Sequence, residues 1–256
     1  MSDPGNGGAP GQGPDEGPDE GPDEGPDEAG RWVRWHQAYE DPDSPLSARL
    51  RLVQSGVRAV LDHRPPGPIR LVSICSGQGR DVIDVVAGHP RQADVQARLV
   101  ELDPTLVAFA RERAAAAGVG DLIEVVQGDA SRAGSYIGAL PADLVLICGV
   151  FGNISDEDIR ATVLAMPSFC ARGGTVVWTR HRRSPDLTPS IREWFGQAGF
   201  AEQSFTAPEP YVLCVGSHQW VAGADAGGAD AGGADGGTLD PDLRLFAFIG
   251  DGSLPA

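Results

Sequence analysis

The chain contains no lysine: all 20 basic residues among its 256 are arginine. This absence excludes Schiff-base chemistry and the phosphate-binding loop that requires a lysine. The four cysteines stand far apart without a C-x-x-C pair, which excludes a zinc ribbon or a disulfide framework and is typical of buried thiols in a cytosolic protein. No apolar run reaches the ~18 residues of a membrane-spanning helix, and the polar start is not that of a signal peptide. We therefore expect a cytoplasmic protein that does not enter a membrane.

Acidic residues outnumber basic ones by 36 to 20, which gives a formal net charge of −16. Residues 1–30 carry nine of the acids and no base. Nucleic acid and an anionic membrane would both be repelled by such a chain. We expect neither of them as a partner, and the sequence does not predict an oligomeric state.

Two low-complexity segments divide the chain into predicted regions. Four copies of Gly-Pro-Asp-Glu occupy residues 13–28, so residues 1–30 are predicted to form a disordered acidic tail. Residues 31–67 are predicted to form N-terminal covering helices, and residues 68–250 the core. Within the core, a Gly-Ala-Asp repeat over residues 223–237 predicts a flexible insertion in a strand connection.

The rest of the pattern alternates short apolar runs with helical stretches, and a strand-rich end follows. It predicts an α/β fold: a Rossmann-like, doubly wound, mostly parallel seven-stranded sheet with a C-terminal antiparallel hairpin. Ligands of such sheets bind beyond the carboxyl ends of the strands. The five interleaved strands are predicted at residues 69–75, 97–102, 122–126, 142–148 and 174–179, and the closing apolar segments at 202–206, 212–221 and 243–249.

A glycine-rich turn follows the first predicted strand, with the sequence Cys75-Ser76-Gly77-Gln78-Gly79. Its two glycines let a ligand approach the backbone closely, although packing alone would also explain them. Glu101 follows Gly79 by 22 residues, at the end of the second predicted strand. A carboxylate there can accept hydrogen bonds from both hydroxyls of a ribose. The combination is typical of a nucleoside-binding site.

The residues after the turn bear on the identity of the nucleoside. Val82 occupies the third glycine position of G-x-G-x-x-G, and Arg80 is the one nearby cation. The turn therefore lacks both the third glycine and the cluster of cations that would bind a pyrophosphate. This disfavours a nicotinamide oxidoreductase. A ligand with ribose and adenine but no pyrophosphate fits better, and S-adenosylmethionine is such a ligand.

From about residue 31 to residue 250 the chain resembles the class I S-adenosylmethionine-dependent methyltransferases. The likeness rests on five motifs in the family's order: the glycine-rich turn, Glu101-Leu102-Asp103-Pro104, Gly128-Asp129-Ala130, the fourth-strand segment from Asp143 to Ile154, and Arg172-Gly173-Gly174. It implies S-adenosylmethionine as cofactor and S-adenosylhomocysteine as product. It also implies a set of cofactor contacts: Cys75, Ser76, Gly77 and Gly79 at the turn, Glu101 and Leu102 at the ribose, Asp129 and Ala130 at the adenine, and Gly149, Phe151 and Asn153 at the methyl group.

Two features concern the methionine end of the cofactor. The family usually has an acid in the first strand, where this chain has Ser73 and Cys75, and this departure weakens the expected contacts to methionine. Tyr39 and Glu40 resemble a Tyr-acid pair that closes over the cofactor, which would bring Tyr39 to the methionine carboxylate. Alternatively, Tyr39 belongs to an apolar stripe with Trp32 and Trp35 that packs its helix on the core.

Two histidines are candidate general bases for the acceptor. His181 follows the fifth predicted strand among three arginines, which could hold an acceptor carboxylate or phosphate or could form a solvated loop. His36 is the second candidate, whereas His218, in an apolar strand, is predicted to be structural. No metal-ligand cluster is evident, so no metal is expected. Because the Pro-Pro-Tyr pattern of nucleobase and Gln methylation is also absent, we expect a small-molecule acceptor.

Alternative functions on the same fold would require different residues or show different behaviour. An aminopropyltransferase would need acids after the fourth strand, where the chain reads Val150-Phe151-Gly152-Asn153. A non-catalytic S-adenosylmethionine-binding or scaffold protein is compatible with the missing first-strand acid. That alternative predicts cofactor binding without turnover.

Overall fold

The computed structural model describes residues 37–210, 212–221 and 240–249. The predicted acidic tail, the aromatic residues Trp32 and Trp35, the candidate base His36 and the predicted insertion at 223–237 lie outside the described residues. None of the helices that the structure describes has the length and apolar character that crossing a bilayer requires.

Seven strands form one sheet in the order β3-β2-β1-β4-β5-β7-β6. Strands β1 to β5 pair in parallel, whereas β7 runs antiparallel to both β5 and β6. This confirms the predicted doubly wound sheet and its C-terminal hairpin. The strands are β1 Ile69–Ile74, β2 Val95–Glu101, β3 Ile123–Gln127, β4 Ala142–Ile147, β5 Cys170–His181, β6 Phe200–Thr206 and β7 Leu213–Trp220.

Five α-helices and four short 3₁₀ helices connect the strands within the described residues. The α-helices are α1 Pro45–His63, α2 Arg80–Ala87, α3 Pro104–Ala116, α4 Asp156–Ala165 and α5 Thr188–Gln197. The 3₁₀ helices are Gln37–Glu40, Gln92–Asp94, Ala133–Tyr136 and Met166–Ser168.

Side-chain caps explain where three of the helices begin. The Ser44 hydroxyl accepts the amide of Ser47 at 3.1 Å, with proline in the first turn of α1. Asp103 caps α3 in the same way, and the Ser155 hydroxyl accepts an amide at the start of α4. Each cap satisfies an amide that has no partner within its helix.

The sheet is buried between two apolar layers. On one face, α1, α2 and α3 pack against the core strands around Val57, Ile83 and Leu99. On the other face, α4 and α5 enclose a cluster around the fully buried Trp178, whose ring lies 6.1 Å from the ring of Phe195 between centroids. Because both faces are covered, the central strands read as nearly continuous apolar runs.

The third apolar segment of the strand-rich end, residues 243–249, does not join the sheet. It forms only isolated bridges, from Arg244 to Arg132 and from Phe248 to Ile154. Leu245 donates its amide to the Ser131 carbonyl at 2.8 Å, and Ile249 donates to the Asn153 carbonyl at the same distance. The segment therefore ties the loop after β3 to the loop after β4, and its apolar pattern reflects burial of Leu245 and Phe246 rather than strand pairing.

An ion pair occupies the edge of the sheet where the parallel strands begin. Asp143, near the start of β4, pairs with the guanidinium of Arg64 and accepts the Arg70 amide at 2.8 Å. Arg64 also donates to the Gly173 carbonyl at 2.9 Å. The Asp143 side chain, 11% exposed, thereby joins the end of α1 to the first residues of β1 and β4.

His218 is structural, as the sequence predicts. It is 1% exposed, its Nδ1 accepts the Trp178 indole N–H at 3.1 Å, and its ring stacks on Phe195. Its Nε2 lies 3.5 Å from a Glu202 oxygen and has no hydrogen-bond partner among the described residues. Burial lowers the pKa of His218 to about 4, because charging the ring there would leave it without water.

This lowered pKa predicts acid sensitivity that His218→Gln removes. The unfolded chain binds a proton at His218 below about pH 6.5, whereas the folded chain does so only near pH 4, so folding stability falls as the pH drops. Between pH 7.5 and 5.0 the wild-type chain should lose about 2 kcal/mol more than the variant. Urea unfolding at the two pH values measures this difference. Equal losses in both proteins would contradict the assignment.

Candidate active site

The glycine-rich turn leaves the carboxyl end of β1, where the chain order reverses between β2 on one side and β4 on the other. Such a reversal opens a crevice at the sheet edge. The turn is tightly curved: Cys75 has φ of 55°, which is uncommon for a residue with a side chain, and Gly77 and Gly79 have φ of 54° and 66°. The Ser76 amide anchors the turn to the Val100 carbonyl of β2 at 3.0 Å.

Close packing explains why a glycine stands at position 79. A Cβ atom there would lie 2.8 Å from both Ile83 Cδ1 and Leu99 Cδ2. The residue also begins α2, since the Ile83 amide donates to the Gly79 carbonyl at 2.9 Å. Gly79 therefore lets the turn pack closely on the core.

Glu101 lies directly beside the turn, as the sequence pattern predicts. Its Oε2 accepts the Gly77 amide at 2.8 Å, and its Oε1 accepts the amides of Leu102 and Asp103 at 2.9 and 3.0 Å. Burial raises the pKa of Glu101 from its ordinary value, while these three amides lower it. The carboxylate is thus held in one orientation against the glycine turn, with the partly exposed Leu102 beside it.

Asp129 follows β3 at the same edge of the sheet. Its Oδ1 accepts both the amide and the hydroxyl of Ser131, at 2.9 and 2.6 Å, while its Oδ2 lies 3.6 Å from Arg132 Nε. The next residue, Ala130, is buried, and its carbonyl accepts the Tyr136 hydroxyl at 2.8 Å. These bonds fix the loop and leave Oδ2 as the less engaged oxygen of Asp129.

The residues predicted near the methyl group differ in how deeply they are buried in the protein. Gly149 lies at the end of β4 with φ of 77°, and its amide donates to the Thr179 hydroxyl. Asn153 is exposed and donates its side-chain amide to the Gly149 carbonyl at 2.7 Å. Phe151 is fully buried, with its ring centroid 6.0 Å from that of Trp178, which places the ring in the core rather than at the open edge.

His181 ends β5 and lies over the loop after β4. A Cβ atom on Gly152 would be 3.2 Å from the imidazole Cδ2. The buried Nδ1 has no hydrogen-bond partner among the described residues. Burial, with help from Arg180 and Arg183, lowers the pKa of His181, so the ring is neutral and able to accept a proton at pH 7.

Two of the three arginines next to His181 are engaged within the protein. Arg180 donates to the Phe151 carbonyl, and Arg182 pairs with Asp186 at 3.1 Å. Asp186 in turn accepts the Thr188 amide at the start of α5. Arg180 and Arg182 therefore stabilise the loops around His181.

A second polar cluster lies near the glycine turn, and sequence reasoning assigned only its Tyr39, not its Arg49 or Asp81. It consists of Tyr39, Arg49 and Asp81. The Tyr39 hydroxyl accepts Arg49 Nη2 at 2.9 Å, and Asp81 stands in the first turn of α2. The sequence position of Asp81 could have identified it, because this acid follows the glycine turn and directly precedes the core residues Val82 and Ile83.

Two buried polar atoms near the turn accept or donate no hydrogen bond within the described residues: Ser76 Oγ and Asp81 Oδ1. Burial raises the pKa of Asp81 to about 6, even though Arg49 opposes the shift. Buried polar groups without partners are rare in folded proteins and call for an external partner. In residues 37–210, 212–221 and 240–249, no group of three or more His, Cys, Asp or Glu side chains could hold a metal ion.

The glycine turn, Glu101 and Asp129 thus lie at one edge of the sheet. Residues 49–193, more than half of the chain, match the model of a family described as "Putative methyltransferase". The chain belongs to this methyltransferase family. Its sheet is that of the class I S-adenosylmethionine-dependent methyltransferases, and the family resemblance found in the sequence is confirmed. No curated protein matches the chain.

Solved structures similar to this methyltransferase support the fold. Magnesium protoporphyrin IX methyltransferase (ChlM) from Synechocystis PCC 6803, solved with bound S-adenosylhomocysteine, has a TM-score of 0.57 and 15% identity over 73% of this chain and 93% of its own. An O-methyltransferase family protein from Burkholderia thailandensis has a TM-score of 0.55 and 17% identity over 76% of this chain. The carbon methyltransferase CurJ has a TM-score of 0.56 and 14% identity, again over 76%. The chain spans 59% of the length of each of the latter two.

Proposed function

We propose that this methyltransferase transfers the methyl group of S-adenosylmethionine to a small-molecule acceptor by in-line displacement. The observation that carries the proposal is the Glu101 carboxylate, which the Gly77 amide fixes against the glycine turn at the reversal point of the sheet. The family match supports the reaction class, and the bound S-adenosylhomocysteine of the Synechocystis relative supports the cofactor.

The residues around the turn fit an adenosine. A carboxylate offers about four lone-pair positions, and three of those on Glu101 already accept amides, which leaves one on Oε2 for a ribose hydroxyl. Asp129 Oδ2 is available for the adenine amino group, and the exposed apolar Leu102 for the face of the base. Gly77 and Gly79 let the ligand approach the backbone.

The cofactor supplies a methyl group on a positively charged sulfur, and the protein aligns an acceptor with it. Holding two reactants in line is worth several kcal/mol of barrier, provided that water is excluded. In this proposal neutral His181 takes the acceptor's proton where the acceptor requires it, because its lowered pKa leaves the ring uncharged at pH 7. His36 remains a second candidate for this role.

Residues at the ends of β4 and β5 would select the acceptor. An O-methyltransferase family protein and a carbon methyltransferase match the fold about equally well, so the fold does not determine which atom of the acceptor is methylated. We assign this choice to Asn153, in the loop after β4, and to His181 at the end of β5, which packs against that loop. The acidic net charge favours a small acceptor over a nucleic acid.

Calorimetric titration with S-adenosylhomocysteine and, separately, with NAD tests the proposal on the wild-type chain and on Glu101→Ala. We expect binding of the first ligand only, and an affinity at least about 10-fold weaker in the variant, because a charge-assisted hydrogen bond to the ribose is lost. Glu112→Ala, an exposed acid on α3, serves as control and should leave the affinity unchanged.

Binding of NAD, or no binding of S-adenosylhomocysteine, would contradict the proposal. Transfer of radiolabelled methyl groups to a panel of small hydroxyl, amine, thiol and carbon acceptors then separates an enzyme from a non-catalytic cofactor-binding protein. Tight binding without transfer to any acceptor would favour the latter.

A further inference from the structure

The end of the first strand lacks the negative charge that the family resemblance leads one to expect there. Ser73 is buried within β1, and burial raises the pKa of the Cys75 thiol well above its ordinary value, so neither side chain is charged near pH 7. The nearest acid along the chain is Asp81, two residues after the turn. It therefore brings a negative charge to the same sheet edge from α2 instead of from the strand.

Arg49 places a positive charge next to this acid. From α1 it reaches across to the end of β4, where its Nη1 lies 3.9 Å from the position of a Cβ atom on Gly149. Its Nη2 donates to the Tyr39 hydroxyl, which orients the guanidinium. Arg49 is close enough to Asp81 to lower the pKa of that carboxyl. The two opposite charges thus lie near each other, one on the helix that follows the glycine turn and one beside the end of β4.

We propose that Asp81 and Arg49 together bind the amino-acid end of S-adenosylmethionine, with the Asp81 carboxylate accepting from its ammonium group and the Arg49 guanidinium donating to its carboxylate. This inference rests on the proposed function. It gives the unpartnered Asp81 Oδ1 a hydrogen-bond donor, and it matches two adjacent charges of the protein to the two adjacent charges of an α-amino acid. Asp81 thereby replaces the acid that the first strand lacks.

The charged Asp81 side chain destabilises the folded protein in the absence of a ligand. A substitution at this position can therefore be tested without loss of the fold. A buried carboxylate without a hydrogen-bond donor on Oδ1 favours its protonated form, and its pKa is about 6. Above that pH the charged group disfavours folding, so Asp81→Asn should unfold at the same or a higher urea concentration than the wild-type chain at pH 7.5. Weak binding by this variant would then not be a consequence of unfolding.

The experiment compares S-adenosylhomocysteine with 5′-methylthioadenosine, which has the same nucleoside and sulfur but no amino-acid end. Calorimetry at pH 7.5 should show Asp81→Asn and Arg49→Gln weakening S-adenosylhomocysteine at least about 10-fold while changing methylthioadenosine by less than about 3-fold. Glu101→Ala should weaken both ligands. Asp84→Asn is the matched control one turn along α2, where the carboxylate pairs with Arg113 at 2.7 Å, and it should change neither affinity.

The pH dependence gives a second readout of the same pair. Between pH 7.5 and 5.0 the wild-type affinity for S-adenosylhomocysteine should fall relative to that for methylthioadenosine, because Asp81 becomes protonated. Four charged or titratable groups interact electrostatically with Asp81. They are Arg49 on α1, Tyr39 before α1, Cys148 after β4 and Asp84 on α2. Of these, Tyr39 and Cys148 stay protonated over this range, since burial raises the pKa of each. In Asp81→Asn the relative change should disappear.

The outcomes separate the two proposals. If the wild-type chain binds both ligands and Asp81→Asn weakens them equally or not at all, the assignment of the amino-acid site is wrong and the proposed function stands. If the wild-type chain binds neither ligand, the proposed function fails and this inference fails with it.

Discussion

Replacement of Asp143 by alanine is expected to lower the free energy of unfolding by about 3–5 kcal/mol, because it leaves the guanidinium of Arg64 without its charge partner in a largely buried place. The Arg70 amide loses its acceptor at the same time. The effect on the cofactor should be small: Asp143 stands where the parallel strands begin, and the glycine turn lies where they end. The folded variant should therefore bind S-adenosylhomocysteine as the wild-type chain does.

Urea unfolding at pH 7.5 measures this loss, and calorimetry below the unfolding transition measures the affinity. Glu124→Ala provides the matched comparison, because it removes an ion pair with Arg98 from the exposed surface, where such pairs contribute at most about 1 kcal/mol. A loss in Asp143→Ala no larger than in Glu124→Ala would show that the buried pair does not stabilise the sheet. A parallel loss of cofactor affinity in the folded variant would show that the two edges are coupled.

Replacement of Gly79 by alanine is expected to affect stability and binding together. The backbone conformation, with φ of 66°, costs an alanine about 1–2 kcal/mol, and the new Cβ would lie 2.8 Å from two core methyl groups, of Ile83 and Leu99. Overpacking of this kind costs about 1–3 kcal/mol. Any relief that lifts the turn off the core breaks the bond between Gly77 and Glu101. We therefore expect a loss of roughly 2–5 kcal/mol in stability and of at least about 10-fold in affinity for S-adenosylhomocysteine.

Gly196→Ala is the control for this substitution. Gly196 lies in α5, and a Cβ atom there would contact nothing within 4 Å. Alanine is the better helix former, so this variant should be equally stable or slightly more stable, with the affinity unchanged. If Gly79→Ala behaved like Gly196→Ala, the close packing of the turn would not be what keeps the cofactor site in shape.

Much of the fold could be predicted from the sequence because its signals are local. Ser44-Pro45, Asp103-Pro104 and Ser155 cap helices through bonds that span only a few residues, so the helices begin where these residues stand. Nearly continuous apolar runs indicate strands buried on both faces, and their alternation with helices favours a parallel sheet. The juxtaposition of the glycine turn and Glu101 follows from that topology alone, since the ends of neighbouring parallel strands meet.

Other features required the tertiary structure. Residues 243–249 have the apolar pattern of a strand, yet their backbone bonds to the loops after β3 and β4 instead of to a strand of the sheet. Phe151 was expected at the methyl group, but its ring packs in the core beside Trp178. Its place in the chain, directly after Val150, does not indicate this orientation. Asp143 belongs to a motif expected to line the site, although it stands at the far end of its strand.

The sequence by itself determined where three helices begin and that the sheet is mostly parallel with a C-terminal hairpin, because these features depend on residues that are neighbours in the chain and on the alternation of strands with helices. Only the tertiary structure decided that Arg49 lies close enough to Asp81 to influence its charge. Their proximity depends on how α1 packs across α2 and β4, and on a carboxylate that is buried without a donor on Oδ1. Such a contact is set by the packing of side chains distant in the chain, and no local pattern in the sequence encodes it.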